Sequence, residues 1–252
     1  MKRLVAAWRL ARTLWHALAG FFTIVFLFPR LTPGQREARV QDWARGMLRV
    51  LGLDLEVHGE PVAQGPALLV ANHISWVDIL ALHASRYCRF VSKADVHRWP
   101  LIGRMATGAG TLYIERASRR DALRVVHHMA QGLQAGDVLA VFPEGTTSDG
   151  TGLLPFHANL LQAAISADAP VQPVALGFVD AATRAPTLAP CYIGDETLLD
   201  SMWRTLTSPR IVVVVRFGVP QACGGRDRRA WAADLQAAVE ALRLPAQEPP
   251  RA

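Results

Sequence analysis

Two stretches place polar side chains where apolar runs end. The first is LLVANHISWVDIL, residues 68 to 80, in which an apolar run stops at Asn72-His73 and Asp78 follows five positions after the histidine. On one continuous helix that spacing sets the imidazole and the carboxylate about 140° apart. The two side chains therefore meet only if His73 lies in a loop and Asp78 in the first turn of the helix after it. Ser75-Trp76-Val77-Asp78 has the spacing of a helix-capping box, with Asp in the place more often held by Glu or Gln. A purely structural role, with Asp78 as a cap and His73 as a turn residue, stands beside a chemical one. The second stretch is VLAVFPEGTTSDG, residues 138 to 150, which ends in Pro143-Glu144-Gly145-Thr146-Thr147-Ser148. Gly145 permits unusual backbone angles, hydroxyls crowd the loop and Glu144 stands at the end of the apolar run.

Both stretches need a scaffold that carries strand ends to one edge. After residue 52 short apolar runs alternate with helical patterns. Strands are expected at 53–57, 67–71, 88–91, 111–114, 138–142, 172–179 and 211–217, and helices at 76–84, 100–107, 119–134, 157–167, 198–205 and 228–242. Such alternation predicts an α/β fold with a mostly parallel central sheet flanked by helices. In that class ligands bind at the carboxyl ends of the strands, where both stretches lie.

The motifs resemble those of the glycerolipid acyltransferases typified by 1-acylglycerol-3-phosphate acyltransferase. The NHxSxxD motif of that family is matched by Asn72, His73, Ser75 and Asp78, and FPEGT by residues 142 to 146. GTLYIER corresponds to G-x-x-F-I-x-R, with Gly110, Ile114 and Arg116 in place and Tyr113 for Phe, and Pro173 of PVQPVAL matches a later proline. Four motifs in the family's order cover about residues 68 to 176. The resemblance implies acylation of a lysolipid hydroxyl by a thioester of coenzyme A or acyl carrier protein, with no cofactor or metal. It implies that His73 is the general base, that Asp78 orients it, and that Arg116 and Glu144, with Gly145 and Thr146 of the same motif, bind the acceptor's head group. Lys93, in FVSKADV after a strand, stands where it adds positive charge, although an exposed loop lysine is the plain alternative. Arg119, Arg120 and Arg124 suit an acidic carrier or coenzyme A phosphates equally well as a solvated helix face.

One departure bears on the acceptor. Phosphatidate-forming members commonly follow FPEGT with Arg, whereas this chain has Thr147. Acylation of the sn-2 hydroxyl of 1-acylglycerol-3-phosphate is the first expectation, and lyso-ornithine lipid, whose zwitterionic head group needs no such Arg, is the alternative. No G-x-S-x-G elbow supports a serine hydrolase. The adjacent His127 and His128 face solvent or core, since neither HExxH nor another metal-ligand spacing is present.

Composition narrows the setting. The 252 residues are 51% hydrophobic and 19% charged, which excludes disorder and low-complexity sequence. Three separated cysteines without a CxxC pair argue for a reduced compartment and against a disulfide framework. Of the formal charge of +6, residues 1 to 52 hold nine basic and two acidic side chains, and the remainder is nearly neutral. Residues 14 to 28, LWHALAGFFTIVFLF, form a fifteen-residue uncharged run with basic residues on both sides. A helix of that length reaches about 22 Å against a hydrocarbon core of about 30 Å, and the charged flanks belong on one side of a membrane. A dip into one leaflet is expected, with a cleaved signal peptide and a buried core helix as rivals. Residues 36 to 52 then read as a basic amphipathic helix. The expected organisation is a membrane-docking segment at 1–52, an acyltransferase domain at 53–244 and a disordered tail at 245–252. The protein is expected at the cytoplasmic face of the inner membrane, monotopic or peripheral. Because the basic excess is mixed with Trp and Phe runs, no nucleic-acid partner is expected.

Overall fold

The computed structural model describes residues 2–114 and 119–243. Seven strands, β1 (Leu53–His58), β2 (Ala67–Ala71), β3 (Arg89–Lys93), β4 (Leu112–Ile114), β5 (Val138–Val141), β6 (Val171–Asp180) and β7 (Ile211–Phe217), form one sheet in the order β1-β7-β6-β2-β5-β3-β4. Every pairing is parallel except that of β6 with β7, which runs Val174 opposite Phe217 to Asp180 opposite Ile211. The expected α/β class with a mostly parallel sheet is the observed one, and the strand positions agree to within a few residues.

Strand β2 shows why an unbroken apolar run belongs at the centre. All five of its residues are buried, because a parallel strand with helices on both faces has no wet side. Ala67, Leu69 and Ala71 join Val138 and Ala140 of β5 in a core with the helices α2 (Pro33–Leu51) and α3 (Val77–Ser85). Leu68 and Val70 join Leu139 and Val141 on the opposite face. That face is covered by α5 (Arg119–Gln134), α6 (Leu161–Ser166) and α8 (Arg228–Leu242), which supply Met129, Leu133, Leu161, Trp231 and Leu235. After the N-terminal helix, the other helices of the body are α4 (Pro100–Gly108) and α7 (Leu198–Thr207).

The N-terminal helix departs from expectation in length. Helix α1 runs from Lys2 to Phe22 and continues through a π-helical turn, Thr23–Leu27, and a 3-10 turn, Phe28–Arg30. The stretch Arg3–Arg30 has the length and mean hydropathy of a membrane span, so shortness is not what bears on how it meets a bilayer. The uncharged run ends at Leu14, but helix formation does not: the preceding Ala, Leu and Arg are good helix formers. Packing is the deciding feature. Ala6, Thr13 and Gly20 on one side of α1 are buried, while Leu4, Trp8, Trp15, Leu18, Phe22 and Phe26 form an outward stripe. Trp8 is 65% and Trp15 76% exposed, although both are large and apolar.

The buried side is fastened along its length. Arg9 donates to the carbonyls of Leu206 at 3.0 Å and Ser208 at 3.1 Å, at the end of α7. Trp43 of α2 donates its indole N–H to the His16 carbonyl at 3.1 Å, and His16 Nε2 lies 2.9 Å from the Trp43 carbonyl, with the two rings stacked. The exchange needs glycine on both helices. A Cβ on Gly20 would lie 2.3 Å from Trp43 Nε1, and one on Gly46 would lie 2.6 Å from the His16 ring. Helix α2 is itself begun by a capping box between Thr32 and Gln35 with Pro33 at its first position, and ended by Gly52 at φ 85°. Its Met47, Leu48 and Leu51 lie in the main core with residues of the sheet, so α2 packs into the same body as the elements after residue 52. Residues 245–252 lie outside the described residues.

Candidate active site

The parallel pairing of β2 with β5 and of β5 with β3 brings three strand ends to one edge of the sheet. Strand β2 leads into Asn72 and His73, β5 into residues 142–144, and β3 ends at Lys93, which is paired with Ile114 of β4. The two stretches singled out by sequence are therefore neighbours in space. Glu115 and Arg116, which follow β4, lie outside the described residues, and Lys93 is placed here by its strand position alone.

Asn72 ends the strand by imitating one more strand residue. Its buried amide donates to the Leu176 carbonyl at 3.0 Å and accepts from the Leu176 N–H at 2.7 Å. The backbone then turns, and His73 projects at the edge with its side chain 18% exposed. His73 Nδ1 lies 2.9 Å from Asp78 Oδ2. An ionised carboxylate only accepts, so Nδ1 carries a proton, and in the neutral tautomer with that arrangement Nε2 is the nitrogen with a free lone pair. Among the described residues Nε2 has no hydrogen-bond partner.

The same Asp78 oxygen accepts from the N–H of Ile74 at 2.7 Å and of Ser75 at 2.8 Å. The carboxylate thus caps the turn that carries the histidine while it orients the ring, and the structural and chemical readings of the HxxxxD spacing hold together. Only half of a capping box forms: Asp78 reaches back to the Ser75 N–H, but Ser75 Oγ accepts from Val77 N at 3.1 Å and donates to the Pro190 carbonyl. Asp78 Oδ1 is buried and has no partner among the described residues.

Strand β5 supplies two further contacts to His73. The ring of Phe142 stacks on the imidazole at a centroid separation of 3.9 Å and an angle of 7°, with Phe90 of β3 stacked behind it. Glu144, only 4% exposed, accepts the His73 N–H at 2.8 Å on Oε1 and the Leu154 N–H at 2.8 Å on Oε2. Burial, the largest influence, raises the Glu144 carboxyl above the usual range against the lowering effect of these two amides. Gly145 adopts φ 74°, a left-handed angle that favours glycine, and a Cβ there would lie 3.1 Å from the His157 ring. Thr146 is exposed. Thr147 turns its hydroxyl to the Tyr192 carbonyl, and Ser148 donates its N–H to the His73 carbonyl at 2.8 Å.

Sequence reasoning assigned no part to Phe142, although it belongs to the FPEGT match, and passed over the segment around Pro190–Tyr192. That segment has no periodicity to mark it, yet its carbonyls receive Ser75, Ser201 and Thr147, and its Tyr192 N–H reaches the Ile74 carbonyl at 3.0 Å. Helix α7 joins the same region through the Trp76 indole, which donates to Ser201 Oγ at 3.2 Å. The adjacent His127 and His128 are exposed on α5. Among the described residues no group of three or more His, Cys, Asp and Glu is arranged to hold a metal ion.

A strand-end imidazole with an oriented Nδ1 and an open Nε2, on a helix-clad parallel sheet, can act as a general base toward a group bound at that edge. The family model "Acyltransferase" matches residues 54–177. A 1-acyl-sn-glycerol-3-phosphate acyltransferase of Neisseria meningitidis is 38% identical over 213 residues, which cover 83% of this chain and 82% of that protein. A lyso-ornithine lipid O-acyltransferase of Pseudomonas aeruginosa is 38% identical over 204 residues, covering 81% and 78%. The crystal structure of a 1-acyl-sn-glycerophosphate acyltransferase from Thermotoga maritima shares the fold, with a TM-score of 0.66 at 20% identity over 96% of this chain and 98% of that one. The chain belongs to the acyltransferase family, as an enzyme of the 1-acylglycerol-3-phosphate acyltransferase type.

Proposed function

We propose that the protein transfers an acyl chain from a coenzyme A or acyl carrier protein thioester to the sn-2 hydroxyl of 1-acylglycerol-3-phosphate, forming phosphatidate. The observation that carries this reading is the 2.9 Å contact of His73 Nδ1 with Asp78, which leaves Nε2 as a base at the ligand edge of the sheet. Nε2 takes the hydroxyl proton as the alcohol oxygen attacks the thioester carbonyl. The tetrahedral intermediate then expels the thiolate, which receives that proton from the imidazolium. Asp78 stabilises the imidazolium between the two steps. A positioned base of this kind contributes about 10²–10⁴-fold. By strand position for Lys93 and by the motif match in sequence for Arg116, these two are the cations we assign to an anionic head group.

The second reading, acylation of lyso-ornithine lipid, is favoured by one observation. Where phosphatidate-forming members commonly carry Arg, Thr147 directs its hydroxyl to the Tyr192 carbonyl, so no guanidinium is offered to a phosphate at that point. The two relatives at 38% identity carry one name each.

Helix α1 supports a membrane setting. A stripe from Leu4 to Phe26 is about 33 Å long, and burying each of its large side chains in lipid stabilises by about 1.5–3 kcal/mol. Because the other side of the helix is fastened to α2 and α7, lipid reaches one side only, and the helix lies along the surface instead of crossing. The cytoplasmic face of the inner membrane is the site we propose. Purified protein given the two lysolipids with one acyl donor tests the substrate: a higher kcat/KM for lyso-ornithine lipid would replace the first reading with the second. His73→Ala should lose at least about 10²-fold, and normal activity would remove the base assignment.

A further inference from the structure

We propose that Glu144 is a positioning residue whose carboxylate straps the backbone of His73 to the loop after β5, so that the base is held in place by this loop and the acceptor's head group is bound elsewhere. The proposal rests on His73 as the base. Both Glu144 oxygens are occupied by backbone amides, Oε1 by His73 and Oε2 by Leu154, each at 2.8 Å, and the side chain is almost wholly buried. A group directed inward in this way has little left for a ligand, and its negative charge would oppose a phosphate.

The strap is part of a closed arrangement. Ser148 N–H donates to the His73 carbonyl, so both polar groups of His73's backbone are held by the loop that Glu144 begins. The loop is shut at its base by His157 N–H on the Pro143 carbonyl at 2.8 Å. Helix α8 and the residue after it fasten the far side: Gln236 Oε1 accepts from Phe156 N–H at 3.1 Å, and Arg243 donates to the Gly150 carbonyl. Phe142, two residues before Glu144, sets the plane of the imidazole by stacking. The end of β5 therefore controls the ring plane through Phe142 and the backbone position through Glu144, while Asp78 controls the rotation of the ring.

A side chain acting in this way lowers the rate of the bound complex when removed, and leaves acceptor binding nearly unchanged. Glu144→Gln keeps the shape but has a single acceptor oxygen, so one of the two amides is left facing an NH2 group. The expected result, measured on the full chain with a saturating acyl donor, is a fall in kcat of about 10–100-fold with KM for the lysolipid within about threefold. In a His73→Ala background the same change should produce no further loss. A KM rise without a change in kcat, or losses that add in the double variant, would overturn the proposal and mark Glu144 as a head-group ligand or an independent catalytic group. Wild-type activity of His73→Ala would instead overturn the base assignment beneath it, a result the KM and kcat of Glu144→Gln alone cannot produce. Should Glu144→Gln not fold, amide hydrogen exchange of the unaltered protein decides: slow exchange at both His73 and Leu154 is expected, and exchange at the rate of open loop amides at these two positions would refute the strap.

Discussion

The double duty of Asp78 gives a prediction in which chemistry and folding separate. Asp78→Ala removes the acceptor of the Ile74 and Ser75 amides and of His73 Nδ1. Two buried N–H groups left without partners cost about 1–3 kcal/mol each, or about 2–6 kcal/mol together. Against a typical total of about 5–15 kcal/mol, that is a large part of the stability. Asp78→Asn is a different perturbation. Its single oxygen takes the place of Oδ2 beneath the same two amides, and the amide nitrogen takes the place of Oδ1, which already lacks a partner. The turn and the tautomer are kept; the negative charge facing the imidazolium disappears, and the buried NH2 without an acceptor costs about 1–3 kcal/mol of stability. The difference between a charge-assisted and a neutral hydrogen bond is about 1–2 kcal/mol, which corresponds to a fall in kcat of about 5–30-fold. Thiol release under saturating substrate, with thermal unfolding on the same samples, tests both numbers. The Asn variant should remain cooperatively folded with KM nearly unchanged, and the Ala variant should lose both activity and thermal stability. A folded Asn variant with wild-type kcat would refute the role of the charge, and an Ala variant with unaltered unfolding would refute the role of Asp78 in holding the turn.

Two other outcomes follow from the same structure. Replacing Trp15 and Phe22 on the outward stripe of α1 by Glu should leave thermal unfolding within about 1 kcal/mol of the parent, since both side chains are exposed. It should sharply weaken flotation with anionic vesicles, and unchanged flotation would remove the membrane role of the stripe. Burial pushes the Cys88 thiol up to about 12, and the Cys191 thiol to about 12 as well, with Asp78 adding to the rise at Cys191. Both are protonated and inert at pH 8, so a disulfide reagent should label Cys223 alone in the native protein and all three thiols after denaturation. Rapid native labelling of a second thiol would contradict the buried environment of the pair.

The meeting of His73 and Asp78 was legible in the chain because their spacing is local. Asn72, His73, Ser75 and Asp78 lie within seven residues, and a strand-to-helix turn is written into the change from LLVA to a polar tetrad. The same holds for the sheet, since β2 and β5 are unbroken apolar runs whose burial on two faces follows from composition. What Glu144 does was not legible, because its partners are the backbone amides of His73 and Leu154, and amides carry no signature in the side-chain alphabet. Phe142 is similar: an aromatic in an apolar run reads as core until the neighbouring strand brings an imidazole against its face. For α1 the sequence determined an apolar, basic-flanked N-terminus. Only the tertiary structure decided which side of it is open, since the deciding contacts join Gly20 to Trp43, Gly46 to His16 and Arg9 to the carbonyl end of α7. Strand and helix follow from near neighbours along the chain, whereas the direction a helix faces depends on residues tens or hundreds of positions away.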